Sequence, residues 1–158
     1  MPHFDLVPAT EAHALDLLSN ISLQSSDDYK SLGLDPNEYV VRGLHASVCT
    51  FAGLIDGRCF CLFGVIPDSL TATSGEPWLM TSADLKDGKV AFAKASRQYI
   101  PYLRARFTHL HGWVYEHNVV SVKWLRWLGY TVAPEPTTAC NGQRYYRFEW
   151  RTECRSRS

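Results

Sequence analysis

The chain has 158 residues, 46% of them hydrophobic and 13% aromatic, and its 16 Lys/Arg are balanced by 16 Asp/Glu. A chain of this length can bury a real core as one domain, and the composition excludes a disordered or fibrous protein. The longest apolar run, "CFCLFGVI", is far too short to cross a bilayer, and the start lacks the charged-then-apolar pattern of a signal peptide, so neither a membrane segment nor a secretory leader is expected.

Charge is uneven along the chain. Residues 1–85 hold 3 Lys/Arg against 11 Asp/Glu, and residues 86–158 hold 13 against 5. That polarity suggests one face for a polyanion, such as nucleotide phosphates or nucleic acid, and another for something cationic. Five cysteines (Cys49, Cys59, Cys61, Cys140 and Cys154) lie mostly in apolar segments. The spacing of Cys59 and Cys61 would put both thiols on one face of a strand. No second Cys or His pair stands at zinc-site spacing, so the expectation is free, buried thiols in a reducing cytoplasm and no metal.

Residues 3–9 alternate as a strand and lead into a helix over 10–21, with Thr10 as N-cap, Glu11 in the first turn, and Leu15, Leu18 and Ile21 on its apolar face. Residues 22–36 are acidic and loop-like, and 37–47 can form a second short helix. The segment 48–66 holds two apolar, β-rich runs around Asp56-Gly57, a dipeptide whose positive φ suits a type I′ hairpin turn. A surface connection follows at 67–77, then a strand at 78–85. Residues 89–107 have helical spacing at Phe92, Ala95, Tyr99, Leu103 and Phe107, and Pro101 inside that run is expected to kink or split the helix.

A strand over 108–118 ends at Asn118, and "VVSVKWLRWL" is an amphipathic helix that stops at Gly129-Tyr130. It would give Val120, Trp124, Trp127 and Leu128 to one side and Lys123 and Arg126 to the other. Residues 131–151 read as two strands around Asn141-Gly142. A single domain would thus occupy residues 1–150, with 151–158 as a frayed tail. The order β-α-α-β-β-β-α-β-α-β-β describes a mixed α/β sheet.

That order, with Asn118 opening the last helix and Gly129-Tyr130 closing it, resembles the GNAT (Gcn5-related N-acetyltransferase) fold, a mixed, mostly antiparallel central sheet flanked by helices. Four stretches add a narrower resemblance over about residues 75–150: "WLMTSADL", the Gly88-Lys89 entry to the long helix, "HGWVYEHN" and "KWLRWLGY". They are similar to a phage GNAT-like family typified by the internal virion protein A of T7-like podoviruses. The resemblance implies a phage-encoded enzyme that moves an acetyl group from acetyl-CoA to an amine of a host protein or small molecule, in the host cytoplasm.

Pyrophosphate needs free backbone N–H groups at a helix N-terminus, and the resemblance places the CoA phosphates at Lys86, Asp87, Gly88, Lys89 and Val90. The family pattern there is Gln/Arg-x-x-Gly-x-Gly/Ala. Leu85 stands in the first place, Gly88 matches, and Val90 replaces the last small residue. Lys86 and Lys89 add favourable charge and Asp87 unfavourable charge; the stretch also reads as an ordinary solvated helix start. Thr81 and Ser82 end the preceding strand with hydroxyls suited either to CoA and substrate or to capping the loop, and Asn118 completes the cofactor set. The general-acid Tyr of many GNAT enzymes falls at Leu125, which has no proton to give. Glu116 and His117 are the candidate catalytic bases, since carboxylate or imidazole can take the amine's proton, and they read equally as a polar strand end. His109 and His111 share a strand face and read as packing.

Interleaved arginines and aromatics at 144–150 would suit nucleic acid, but their period of two fits a half-buried strand better, so nucleic acid is not the expected partner. A second expectation keeps the fold and drops the chemistry: a degenerate GNAT-fold protein that works by binding a host protein during takeover or a virion protein during assembly. Gly88→Trp is the change expected to separate the two, by removing CoA affinity from an enzyme with its fold intact.

Overall fold

The computed structural model describes residues 3–31 and 33–152; of the expected tail at 151–158, the part from residue 153 on, and Cys154 with it, lies outside the described residues. The elements are β1 (Phe4–Pro8), α1 (Glu11–Leu18), α2 (Leu23–Ser31), α3 (Pro36–Ala46), β2 (Val48–Ile55), β3 (Arg58–Pro67), β4 (Ser74–Thr81), a 3-10 turn (Ala83–Asp87), α4 (Lys89–Arg106), β5 (His109–Tyr115), α5 (Val119–Leu128), β6 (Thr131–Val132), β7 (Thr137–Thr138) and β8 (Arg144–Arg151). They form one sheet in the order β1-β2-β3-β4-β5-β8-β6, with β7 also on β8. Every pairing is antiparallel except β4 with β5. The expected mixed, mostly antiparallel sheet flanked by helices is what the chain forms.

Two apolar clusters hold helices to the sheet's opposite faces. Phe60, Phe63 and Leu110 meet Phe92, Tyr99 and Leu103 of α4 and Val122 and Leu125 of α5 on one face. Leu62, Trp78 and Met80 meet Leu17 of α1, Tyr29 of α2 and Val40 of α3 on the other. Each fully buried side chain of this size contributes about 1.5–3 kcal/mol through removal from water.

Several local expectations hold for the reasons given. Thr10 caps α1 in a reciprocal pair with His13. Asp56 and Gly57 both take positive φ in the β2–β3 turn. Asn118 caps α5 through Ser121 N–H, and Gly129, at φ 97°, ends it, with Tyr130 N–H donating to the Leu125 carbonyl. The left-handed conformation there favours glycine, and Tyr130 then packs edge-on against Phe148.

Others are corrected. Residues 23–31 form α2 where a loop was expected, because tertiary contacts hold them: Ser25 Oγ meets Thr81, and Tyr29 packs on Tyr39 and donates to the Leu79 carbonyl. The buried face of α1 is Ala14 and Leu17, and Leu15 is 70% exposed. Pro101 neither splits nor ends α4; it lies on the exposed side, where the Arg97 carbonyl that loses its partner can meet water. In α5 the buried side is Val122, Leu125 and Leu128, and Trp127 is 47% exposed beneath the Arg97 guanidinium. Residues 82–85 are not strand; Ser82 caps the 3-10 turn instead. The C-terminal segment forms three strand pieces, and β8 runs to Arg151 with Thr152 N–H bonded to the Thr108 carbonyl.

The two cysteines of β3 do not share a face. Leu54 pairs with Cys59 and Gly53 with Cys61, so Phe60 is an extra residue in a β-bulge. The bulge sends Cys59 to one cluster and Cys61 to the other. Burial, reinforced by the Asp16 carboxylate, pushes the Cys59 thiol up to about 12, which keeps it protonated and inert.

Candidate active site

The parallel pair β4–β5 is joined only at Ser74 with His109 and Gly75 with Leu110. Beyond those residues the strands part and leave a notch lined from both faces of the sheet. Tyr29, Tyr39 and Trp78 stand on one side, and Ser121, Trp124 and Leu125 of α5 on the other. The sequence supplies the cause of the parting. Residues 77, 79 and 81 of β4 turn their backbone polar groups away from β3, as the bonds at the Leu79 carbonyl (from Tyr29 Oη, 3.0 Å) and at Thr81 N–H (to Ser25 Oγ, 2.9 Å) demonstrate. Pro77 therefore faces β5 and has no N–H to give it, so the ladder stops there. On the same edge the Leu79 N–H points into the notch beside its carbonyl. It is a fixed donor aimed at an opening in the sheet, the arrangement that stabilises charge developing on a carbonyl oxygen.

Glu76 stands at the mouth of this notch on the face shared with Trp78 and Met80, and sequence reasoning missed it by placing it in a surface connection. Its side chain crosses Gly112, where an added Cβ would come within 3.2 Å of Glu76 Cγ and 2.7 Å of Phe148 Cζ. Among the described residues Glu76 makes no hydrogen bond or ion pair. Burial pushes its pKa up; the charges of His111 and Arg147 oppose this and that of Asp68 adds to it. Its side chain is nevertheless exposed at the notch mouth, so water screens much of that effect, and what it offers an incoming group is an accessible carboxylate without a partner. The signal available in the sequence was one acid in a segment otherwise free of charge from Ser69 to Ala83.

At the C-terminal end of β4 a second depression of about 300 Å³ brings together Thr81, Ser82, Lys86, Lys89 and Val120. Here α4 begins at Gly88 without a side-chain cap, so the first amides of an 18-residue helix are open to an anion. Lys86, Asp87, Lys89 and Val90 are exposed around that end. Gly88 is buried, and a Cβ on it would come within 2.5 Å of Ile55 Cδ1. Gly88→Trp would thus press on the core as well as the loop, and Val90, 71% exposed, is the cleaner position for a test. Thr81 and Ser82 have their hydroxyls engaged: Thr81 with Ser22 and Ser25, Ser82 with Asp84 N–H. The Asn118 side-chain oxygen is likewise occupied in capping α5.

Glu116 and His117 lie elsewhere. Both follow β5 in the turn toward α5, and Glu116 pairs with Arg144 and His117, each at 3.6 Å, on the β8 side. Leu125, at the position of the general-acid Tyr, does line the notch, one turn after Ser121.

No family model matches the sequence, and no curated protein does. Solved structures do match. An acetyltransferase of the GNAT family from Streptococcus pneumoniae is 10% identical, with TM-score 0.65 over 95% of this chain and 100% of that one. The ribosomal-protein-alanine N-acetyltransferase from Brucella melitensis is 12% identical, with TM-score 0.69 over 94% and 99%. The spermidine N-acetyltransferase from Vibrio cholerae, solved with CoA and spermine, is 12% identical, with TM-score 0.62 over 94% and 95%. At these identities the likeness concerns architecture alone: this chain has the GNAT acetyltransferase fold.

Proposed function

We propose that the protein is an N-acetyltransferase that uses acetyl-CoA to acetylate a primary amine. The observation that carries this reading is the meeting, in one notch, of an inward N–H at Leu79 and an unpartnered carboxylate at Glu76, beside an uncapped helix N-terminus. Acetyl-CoA fits these residues: the α4 amides from Lys89 onward suit its pyrophosphate, with Lys86 and Lys89 adding charge and Asp87 opposing it. When bound, it supplies an activated acetyl thioester. Leu79 N–H would donate to the thioester oxygen, and Glu76 would accept the proton of the incoming ammonium, directly or through water. The freed amine would form the C–N bond as the C–S bond breaks, with the CoA sulfur leaving as thiolate and taking its proton from solvent. Glu116 and His117, proposed for that task on sequence grounds, are the weaker bases because Glu116 already has two partners. Thr81, Ser82 and Asn118 serve the cofactor by fixing the ends of β4 and α5 that flank it.

The competing reading is a binding protein on the same scaffold, of phage origin, acting on a host or virion protein. Leu125 favours it, since the notch has no acidic side chain on α5 to protonate a leaving thiolate. Calorimetric titration with acetyl-CoA, with free CoA and ATP as controls, separates the two. Micromolar affinity for acetyl-CoA above that for ATP supports the enzyme. No heat at millimolar acetyl-CoA overturns it and turns the search to captured partners.

A further inference from the structure

The sheet face that carries Glu76 is covered by α1, α2 and α3 only as far as β4; beyond it β5 and β8 present His109, His111, Trp113, Arg147 and Glu149 outward. Most acids on this stretch are already matched. Asp68 bonds His111 at 2.8 Å, and Glu149 bonds His109 at 3.1 Å with Arg151 at 3.6 Å. Glu116 is paired with Arg144 and His117. Glu76 alone of these carboxylates has no ion-pair partner among the described residues.

Next to it lies a trough of about 290 Å³ between β5, β8 and the β7 turn, walled by Trp113, Thr137, Ala139, Asn141 and Tyr145, none of them charged. Trp113 is 49% exposed and belongs to both the trough and the notch, so its ring is where the two spaces meet. The Arg147 guanidinium stands 5.5 Å from the centre of that ring and adds a fixed positive charge at the junction.

One free carboxylate, an uncharged trough and a neighbouring arginine select against a polycation, which needs a carboxylate for each ammonium and would meet Arg147. We infer that the acceptor is a primary monoamine carried on an aromatic or branched apolar body, its ammonium at Glu76 and its body in the trough against Trp113. This rests on the acetyltransferase reading for the reaction and on the trough for the choice of amine.

The test is a fluorescence and calorimetric titration of the whole protein with phenylethylamine and, separately, spermidine, with acetyl-CoA affinity measured on the same samples. Phenylethylamine is expected to bind and to quench tryptophan emission, and spermidine to bind at least tenfold more weakly. Trp113→Ala is expected to weaken phenylethylamine about tenfold, the scale of one lost aromatic contact together with its buried area. Ala139→Glu, an exposed substitution that places a second carboxylate in the trough, is expected to narrow the gap by raising spermidine affinity. Spermidine binding as tightly as phenylethylamine, or a Trp113→Ala protein that is folded by circular dichroism and binds phenylethylamine unchanged, overturns the inference. Loss of the acetyl-CoA signal alone sinks the enzyme reading and leaves the amine preference readable.

Discussion

The two helical layers of this protein differ in charge as sharply as any two regions of it. Helices α4 and α5 carry Lys89, Lys94, Arg97, Arg104, Arg106, Lys123 and Arg126 and no acid, whereas α1 and α3 carry Glu11, Asp16 and Glu38 against Arg42. The imbalance between the halves of the sequence is therefore an imbalance across the sheet, because the first three helices cover one face and the last two the other. The notch lies between these layers and is lined by residues of both. A polyanion is drawn to the basic layer and repelled by the acidic one, so the charge contrast favours phosphates on the α4–α5 side of the sheet.

Four changes would break or sharpen that contrast. The largest effect is expected from Glu76→Gln, which should lower acetyl transfer about 100-fold or more, the usual scale for a lost general base. In the parent protein the rate should rise with pH through a pKa above the ordinary carboxylate range, and this limb should vanish in the variant. The stability effect has the opposite sign. A raised pKa means the folded state holds this proton more tightly than the unfolded chain, so stability declines as pH rises from the unfolded to the folded pKa. Glu76→Gln should therefore raise Tm at neutral pH, but only slightly, because the exposed side chain is screened by water.

A charge reversal on the basic side comes next. Lys86→Glu with Lys89→Glu should weaken acetyl-CoA about 10- to 30-fold by calorimetry and flatten its dependence on salt, since both charges flank the amides that begin α4. An undiminished affinity would mean that phosphates do not bind at this helix end. Gly129→Ala tests stability in the same layer without altering its charge. The left-handed φ of 97° should make it about 1 kcal/mol less stable by denaturant titration, with ligand affinity unchanged. The smallest effect belongs to the acidic layer: Glu38→Lys should change acetyl-CoA affinity less than about twofold at physiological salt, where screening is short-ranged. A larger change would show that the layers are electrostatically coupled.

Features set by neighbouring residues were legible in the sequence. Asp56-Gly57 names its own turn, and Asn118 and Gly129 mark the ends of α5 because cap and stop chemistry is local. The succession of strands and helices along the chain, α2 and the splitting of the C-terminal strands apart, followed from the alternation of patterns. What escaped was set by distant partners. The helix at 23–31 is held through Thr81 and Leu79, more than fifty residues later for Ser25 and fifty for Tyr29. The bulge at Phe60 depends on how β2 pairs with β3, and it alone separates Cys59 from Cys61. Glu76 was invisible as a site because its meaning lies in what it lacks, a partner, and only the folded arrangement of Asp68, His111 and Arg147 reveals that.

Parting a sheet in its middle also creates a hazard that an intact sheet does not have. It exposes two interior edges whose unpaired amides and carbonyls can template a strand from another molecule. Pro77 removes one of those amides, and Tyr29 covers the Leu79 carbonyl, so the β4 edge offers an incoming strand a broken row in place of a continuous one. The residue that holds the notch open for a ligand is thus also the one that guards it against self-association. Replacing it would put solubility at risk before it changed any chemistry.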